Sequence, residues 1–301
     1  MRYGMDIASH GLNRIRLLGL RGHTVGAGYD APKCDLPSES KAKRPLVAVL
    51  PFKGTEGAKS RLSSVLSPAE RSDLALWMLK KAVMALEGNV EETVIVTGEG
   101  QGAAIYGVMG DLRLRAGGSL RVMEAEGSGL NAHLEYAVSK LGRHFEESAE
   151  SSIPGFLIIL PDLPLFDREC AERLASAVRR NADGRALICP DRRLRGTNAL
   201  YIPPGWRVRF RFGEGSFQEH LREVGICAAS HNGGYVVLFM PEVSFDLDEP
   251  GDYFRMLGAL APFDDASEEG ASVGGLAALR GLPRRVCNDF NSNGVGRNTC
   301  L

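Results

Sequence analysis

The sequence predicts an α/β protein in which a mainly parallel sheet carries helices on both faces. Three observations lead there. Short apolar, β-branched runs alternate with longer stretches of helical periodicity. The apolar runs are continuous rather than alternating, which marks strands buried on both faces. Cap and turn residues separate the two kinds of segment.

The elements follow in order. Residues 46–50 form the first apolar run, β-branched at Val47 and Val49, and Pro51 stops it. Ser67, Pro68 and Glu70 then supply a helix cap, a first residue and a reciprocal acid. That helix runs through Leu74, Trp77, Met78, Val83 and Leu86. Strands are expected at 93–97 and 120–123, and a helix at 131–141. Residues 156–160 are the most apolar strand, followed by a helix over 167–180 that Asp167 caps. Strands at 186–189 and 199–202, a helix at 217–223, a strand at 235–240 and a helix at 250–260 complete the pattern. No repeat of fixed period is present.

This core spans about residues 45–262 as one nucleotide-scale α/β domain. Residues 1–44 are arginine-rich, lack core periodicity and are expected to be a disordered extension. Residues 263–301 are acidic, then polar, and read as a flexible tail. The net charge of -1 gives no bulk attraction to nucleic acid or to an acidic membrane surface. No apolar run approaches the roughly 20 residues of a membrane span. The six cysteines are scattered, with no C-x-x-C, so reduced thiols and a cytoplasmic location are expected.

In an open sheet of this kind, ligands bind beyond the carboxyl ends of the strands. Four loops there carry chemistry. The first, 51–62, contains Lys53, Lys59 and Arg61 with Gly54 and Gly57. Close backbone approach plus cations suits a polyphosphate, although the same composition suits a solvated basic loop. It is no Walker A loop, since Ala58 and Lys53 stand where that motif needs glycines. The second, 126–131, offers Gly127, Gly129 and Asn131, which serve a ligand or simply a turn with a helix cap. The third, 160–165, places Asp162 just after the most apolar strand, with no helix left for it to cap. A carboxylate there suits Mg²⁺, which takes one or two carboxylates plus substrate phosphates. The fourth, 245–252, holds Asp246 and Asp248 at alternate positions. They could join Asp162 around a metal, or Asp248 could cap the helix that starts near Pro250. Other catalytic constellations are absent from the sequence: there is no H-E-x-x-H and no G-x-S-x-G elbow, and 98–102 reads as a loop rather than a dinucleotide turn.

Seven short motifs in order add a resemblance. They are Ala58-Lys-Ser-Arg-Leu62, Ser67-Pro-Ala-Glu-Arg71, Gly129-Leu-Asn131, Pro161-Asp-Leu-Pro164, Gly196-Thr-Asn-Ala-Leu200, Gly213-x-x-Ser-Phe217 and Asp246-Leu-Asp-Glu-Pro250. Together they resemble the 2-phospho-L-lactate guanylyltransferase family of coenzyme F-420 biosynthesis, with its phosphoenolpyruvate-using relatives. The likeness covers about residues 45–257. It implies a Rossmann-like nucleotidyltransferase fold, GTP as donor, Mg²⁺ as cofactor and a small phosphorylated carboxylic acid as acceptor. It also implies a product passed to a downstream transferase, and it allows a homodimer. By the same resemblance Thr197, Gly213 and Ser216 hold the acceptor, and Asp162 with Asp248, in preference to Asp246, holds the metal. Lys53, Lys59, Arg61, Gly129 and Asn131 meet the nucleotide, and Lys59, Arg61 and Asp162 serve catalysis. One departure stands out: the loop before Gly196, often glycine-rich in the family, here reads Asp191-Arg-Arg-Leu-Arg195.

Two other readings are open at this level. One is a relative acting on 3-phosphoglycerate, a sugar phosphate or a pterin cofactor. The other is a non-catalytic GTP-binding regulator, against which the paired acidic motifs argue.

Overall fold

The structure, a computed structural model, describes residues 16–19, 45–110, 120–147, 153–181 and 184–260. The expected unstructured ends, 1–44 and 263–301, lie outside the described residues, apart from Arg16–Gly19, which form a strand. The strands are β1 (Arg16–Gly19), β2 (Leu46–Pro51), β3 (Glu92–Gly98), β4 (Leu120–Ala125), β5 (Gly155–Ile159), β6 (Ala186–Pro190), β7 (Thr197–Ile202) and β8 (Tyr235–Phe239). They form one sheet in the order β1-β8-β6-β7-β5-β2-β3-β4.

Every pairing is parallel except those of β7, which runs antiparallel to both β5 and β6. The cause is local. Only a short loop separates β6 from β7, too short for the crossover that a parallel pair requires. The consequence reaches the function. The start of β7, at Thr197, lies at the same edge of the sheet as the ends of β2 and β5. A strand beginning thus joins two strand ends at the ligand-binding edge.

The helices are α1 (Pro68–Leu86), α2 (Gly102–Val108), α3 (Leu130–Glu147), α4 (Arg168–Arg179), α5 (Ser216–Ser230), α6 (Pro241–Ser244) and α7 (Pro250–Leu260). Alternate residues of β2 point to opposite faces, as strand geometry dictates. Leu46, Ala48 and Leu50 pack with α1, α2 and α4. Val47 and Val49 pack with α3 and α5, helped by Trp206, Val208, Phe210 and Phe212 from the segment before α5. Helices therefore cover both faces, and the bulk of the apolar chain leaves water there.

Caps explain several boundaries. Ser67 and Glu70 form the reciprocal capping box at α1, with Pro68 at its first position. Asp167 caps α4 by accepting from the Cys170 N–H at 2.9 Å. Helix α2 is absent from the sequence reading, which took 98–102 as a loop and placed no element between there and 120. It is one short segment rich in glycine and alanine, buried only at Gly102 and Ile105, and so it carries no apolar stripe to read. Helix α5 also runs well past the expected 217–223.

A third apolar cluster matters for the site. Leu62, Leu74 and Met78 pack against Tyr253, Met256 and Leu257 of α7. This fixes the chain that follows Lys59 and Arg61 to the helix that follows the Asp246–Asp248 motif. Among the described residues no helix is long and apolar enough to cross a membrane.

Candidate active site

The loop after β2 ends in a 3-10 turn, Ser60–Leu62, with Lys59 at its cap in left-handed backbone (φ 49°). That conformation costs a non-glycine residue about 1 kcal/mol. It separates two neighbouring cations: the Lys59 side chain is 12% exposed, that of Arg61 71%. Lys59 Nζ donates to Asp162 Oδ2 at 2.9 Å and to Asp248 Oδ1 at 3.1 Å. Burial alone would push the ammonium toward its neutral form, but the two carboxylates outweigh it and hold the pKa above the ordinary lysine value. Arg61 Nη1 lies 3.7 Å from the other oxygen of Asp248.

Each acid is placed by its backbone. Asp162 follows β5, and its carbonyl accepts the Leu247 N–H at 3.1 Å, which ties the β5 loop to the acidic motif. Lys81 of α1 donates to the Pro164 carbonyl and holds the same loop from the other side. Asp248 is free to serve the site because α7 is capped otherwise. Asp252 Oδ2 accepts the N–H groups of Asp248 and Glu249 at 3.2 and 3.0 Å, while the Asp248 carboxylate itself is turned to Lys59 and Arg61. The alternative of Asp248 as helix cap is thereby set aside.

Oδ1 of Asp162 is buried and has no hydrogen-bond partner among the described residues. An unpaired buried carboxylate oxygen is costly and invites a cation. Among the described residues no three His, Cys, Asp or Glu side chains are grouped to hold a metal by themselves. Asp162 and Asp248 are the two carboxylates here that could hold a metal, and such a pair suits Mg²⁺, which fills its remaining positions with water and phosphate oxygens. Asp246 stands apart from the Lys59 pair. Burial, then the neighbouring charges of Asp162 and Asp248, push its carboxyl up to about 6.

These groups border a cleft of about 390 Å³ lined by Phe52, Lys53, Lys59, Arg61, Asp162 and Asp248, among others. Its size is that of a small-molecule site. Lys53 is exposed on its wall, and Leu130, next to Gly129, closes one side. Gly54 shapes the loop: its φ is +91°, and a Cβ there would lie 2.5 Å from the Gln101 side-chain oxygen.

The three expected acceptor residues also meet, but in the interior. Thr197 is 1% and Ser216 2% exposed. The Thr197 N–H donates to Ser216 Oγ at 2.9 Å. Gly213 accepts the Ser216 N–H through its carbonyl at 3.2 Å and has φ +131°, which favours glycine. None of the three is among the residues lining the cleft around Lys59.

Asn131 corrects one expectation. It lies inside α3 rather than capping it, and both ends of its amide are spent on Phe212: Nδ2 donates to the carbonyl at 3.0 Å and Oδ1 accepts the N–H at 2.8 Å. It clamps the segment before Gly213.

The sequence reading passed over His220. It is fully buried, with Nε2 2.9 Å from the Arg211 N–H and Nδ1 2.9 Å from Thr197 Oγ1. Its spacing of four from Ser216 puts both on one helix face, the one signal available in the sequence.

The arginine loop is largely spoken for. Arg192 pairs with the buried Asp252 and lies over the Phe245 ring, 5.0 Å from its centre. Arg193 pairs with Glu249 at 3.0 Å. Asp191 Oδ1 accepts the N–H groups of Arg193 and Arg195 at 3.0 and 2.9 Å. The loop is thus a clasp between β6–β7 and the acidic motif, and among the described residues only the Arg195 guanidinium of this cluster has no carboxylate partner.

A family model described as "Guanylyl transferase CofC like" matches residues 46–256. A phosphoenolpyruvate guanylyltransferase of Rubrobacter xylanophilus is 39% identical over 211 residues, covering 69% of this chain and 92% of that protein. A 2-phospho-L-lactate guanylyltransferase of Methanothrix thermoacetophila is 33% identical over 218 residues, covering 71% of this chain and 84% of its own. Among solved structures, a protein from Desulfovibrio desulfuricans described as a nucleotide-diphospho-sugar transferase superposes with a TM-score of 0.51 at 12% identity. It covers 82% of this chain and 98% of its own. That likeness speaks to the fold alone.

Proposed function

We infer the reaction from one premise: this chain belongs to the family of CofC-like guanylyl transferases. It is a nucleotidyltransferase that moves the guanylyl group of GTP onto a small phosphorylated carboxylic acid and releases diphosphate. Phosphoenolpyruvate is the first acceptor to expect, because the 39% identical relative carries that name, and 2-phospho-L-lactate the second. The observation that carries the reading is the Lys59–Asp162–Asp248 cluster at the ligand edge of the sheet.

The chemistry follows from charge. An oxygen of the acceptor phosphate, already ionised at neutral pH, attacks the α-phosphorus of GTP. One P–O bond forms there while the bond to the β-phosphate bridging oxygen breaks, and diphosphate carries away the electron pair. No general base is needed. The difficulty is that two anions must meet, so electrostatic stabilisation has to supply most of the rate. Lys59 and Arg61 neutralise the departing diphosphate. Asp162 and Asp248 are the residues that would hold Mg²⁺, and the unpaired Oδ1 of Asp162 supports that role. When bound, the ion neutralises phosphate oxygens. Lys53 and the Gly129 turn flank the nucleotide, while Thr197, Gly213 and Ser216 receive the acceptor.

The product is a mixed diphosphate, an activated group that calls for a downstream transferase, in keeping with a place in coenzyme F-420 biosynthesis. The free thiols of the buried Cys170 and Cys189 support a cytoplasmic setting.

A screen of diphosphate release tests the reading, with GTP, ATP, CTP and UTP each offered phosphoenolpyruvate, 2-phospho-L-lactate, 3-phosphoglycerate and a sugar phosphate. Release with GTP and one of the first two acids is expected. Preference for the sugar phosphate would overturn the substrate class, and GTP binding without release would point to a regulator.

A further inference from the structure

We propose that His220 is a positioning residue that turns the Thr197 hydroxyl into a hydrogen-bond donor for the acceptor anion. This rests on the reading that Thr197, Gly213 and Ser216 hold the acceptor.

The argument is about which atom carries a hydrogen. The Arg211 N–H is a donor and can only be received, so His220 Nε2 at 2.9 Å bears no hydrogen. In a neutral ring the hydrogen is then on Nδ1, which donates to Thr197 Oγ1 at 2.9 Å. Burial, then the nearby Arg211 charge, keeps the ring neutral by pushing its pKa down to about 4. The Phe212 ring meets it edge-on at 4.6 Å and fixes its plane.

Both acceptor hydroxyls consequently receive a hydrogen bond from inside the protein. Thr197 Oγ1 takes one from His220, and Ser216 Oγ takes one from the Thr197 N–H. Neither hydroxyl hydrogen has an acceptor among the described residues. Each is left to donate to a ligand, and a hydroxyl that already accepts is the better donor for it. The sign matters. A phospho-acid offers only acceptor oxygens, so the opposite tautomer, which would draw the Thr197 hydrogen toward the ring, would aim lone pairs at an anion. Arg211, through its backbone N–H, selects the useful tautomer. The same residue is followed by Phe212, whose N–H and carbonyl are both clamped by Asn131, and then by Gly213. One imidazole thus joins the start of β7, the segment before Gly213 and the first turns of α5.

The test uses the full chain. His220→Gln removes the bond to Thr197; it should raise the phosphoenolpyruvate KM by about tenfold, the loss of one hydrogen bond to an anion. The GTP KM should stay within about twofold, and the melting temperature is measured beside it. His220→Asn, which keeps a donor near the Nδ1 position, should recover part of the loss. In a Thr197→Val background His220→Gln should add almost nothing, because the hydroxyl it orients is gone. Multiplying effects, or an equal rise in the GTP KM, would overturn the proposal. Nitrogen NMR of the histidine rings in the unaltered protein decides the matter without any variant: an Nδ1-protonated His220 is required, and an Nε2-protonated one contradicts it. Should Thr197→Val leave the phosphoenolpyruvate KM unchanged, the acceptor-site reading itself falls. Should Thr197→Val raise it while His220→Gln does not, the inference about His220 alone falls.

Discussion

Lys59, Asp162 and Asp248 bring one cation and two carboxylates together at the wall of a cleft, whereas Thr197, Ser216 and His220 bring three neutral groups together in the interior. The first cluster leaves a carboxylate oxygen unpaired, and Asp248 is 42% exposed. In the second, each hydroxyl accepts a bond from the protein and only its own hydrogen is left over. The difference teaches a division of labour. On the proposed reading, a charged cluster that phosphates and a cation are to enter is left partly unsatisfied beforehand. A recessed set of neutral donors can be completed in advance, so that it discriminates by shape and by the direction of each hydrogen bond.

The sharpest way to break this comparison is to neutralise the charged side. Asp162→Asn keeps the shape and should leave the melt unchanged. It should cut kcat by about a thousandfold, about 4 kcal/mol, because transition-state charge is no longer balanced. A variant with a normal melt that turns over within about tenfold of the original removes Asp162 from the cluster's chemistry.

The next effect belongs to the neutral side and is one of stability against pH. His220 titrates near pH 4 in the fold and near 6.5 in an unfolded chain. Between those values the unfolded chain binds the extra proton, so stability is complete above about pH 6.5 and falls as the pH drops toward 4, by about 3 kcal/mol in all. Urea midpoints at pH 7 and pH 4.5 should separate more for the unaltered protein than for His220→Gln. Equal separations would mean that the ring is not held neutral.

Between the two clusters lies the clasp. Asp252 is 3% exposed and accepts from Arg192 and from two backbone N–H groups. Asp252→Ala should lower stability by about 2 kcal/mol, seen in the urea midpoint, because buried donors lose their partner. Arg193→Ala is the smallest change: its pair with Glu249 is exposed on both sides, and neither the urea midpoint nor either KM should move measurably.

The comparison also shows what a sequence discloses. Asp162 was legible because an acid directly after a buried strand, with Asp167 already placed to cap the next helix, has no structural work to do. The class of the sheet was legible, since continuous apolar runs imply mainly parallel pairing. The reversal of β7 was passed over, although the short loop between two expected strands already forbids a parallel crossover; which neighbours accept the strand is the tertiary fact. His220 stayed hidden because a histidine inside a helix looks alike whether it binds a ligand, a neighbour or water. Its partners are the backbone of Arg211 and a threonine 23 positions away. The sequence around the arginines of 192–195 gives no sign of their partners, because the carboxylates that neutralise two of them are 56 and 60 residues distant.

The most direct measurement of the central claim follows the phosphorus. GTP labelled at the α-phosphorus is incubated with the enzyme, Mg²⁺ and phosphoenolpyruvate or 2-phospho-L-lactate, and the products are separated. The account predicts that the label appears in a guanosine mixed diphosphate with the acid, in step with unlabelled diphosphate, and only when the acid is present. Label emerging as free GMP at the same rate with or without the acid, or remaining in GTP throughout, would contradict it.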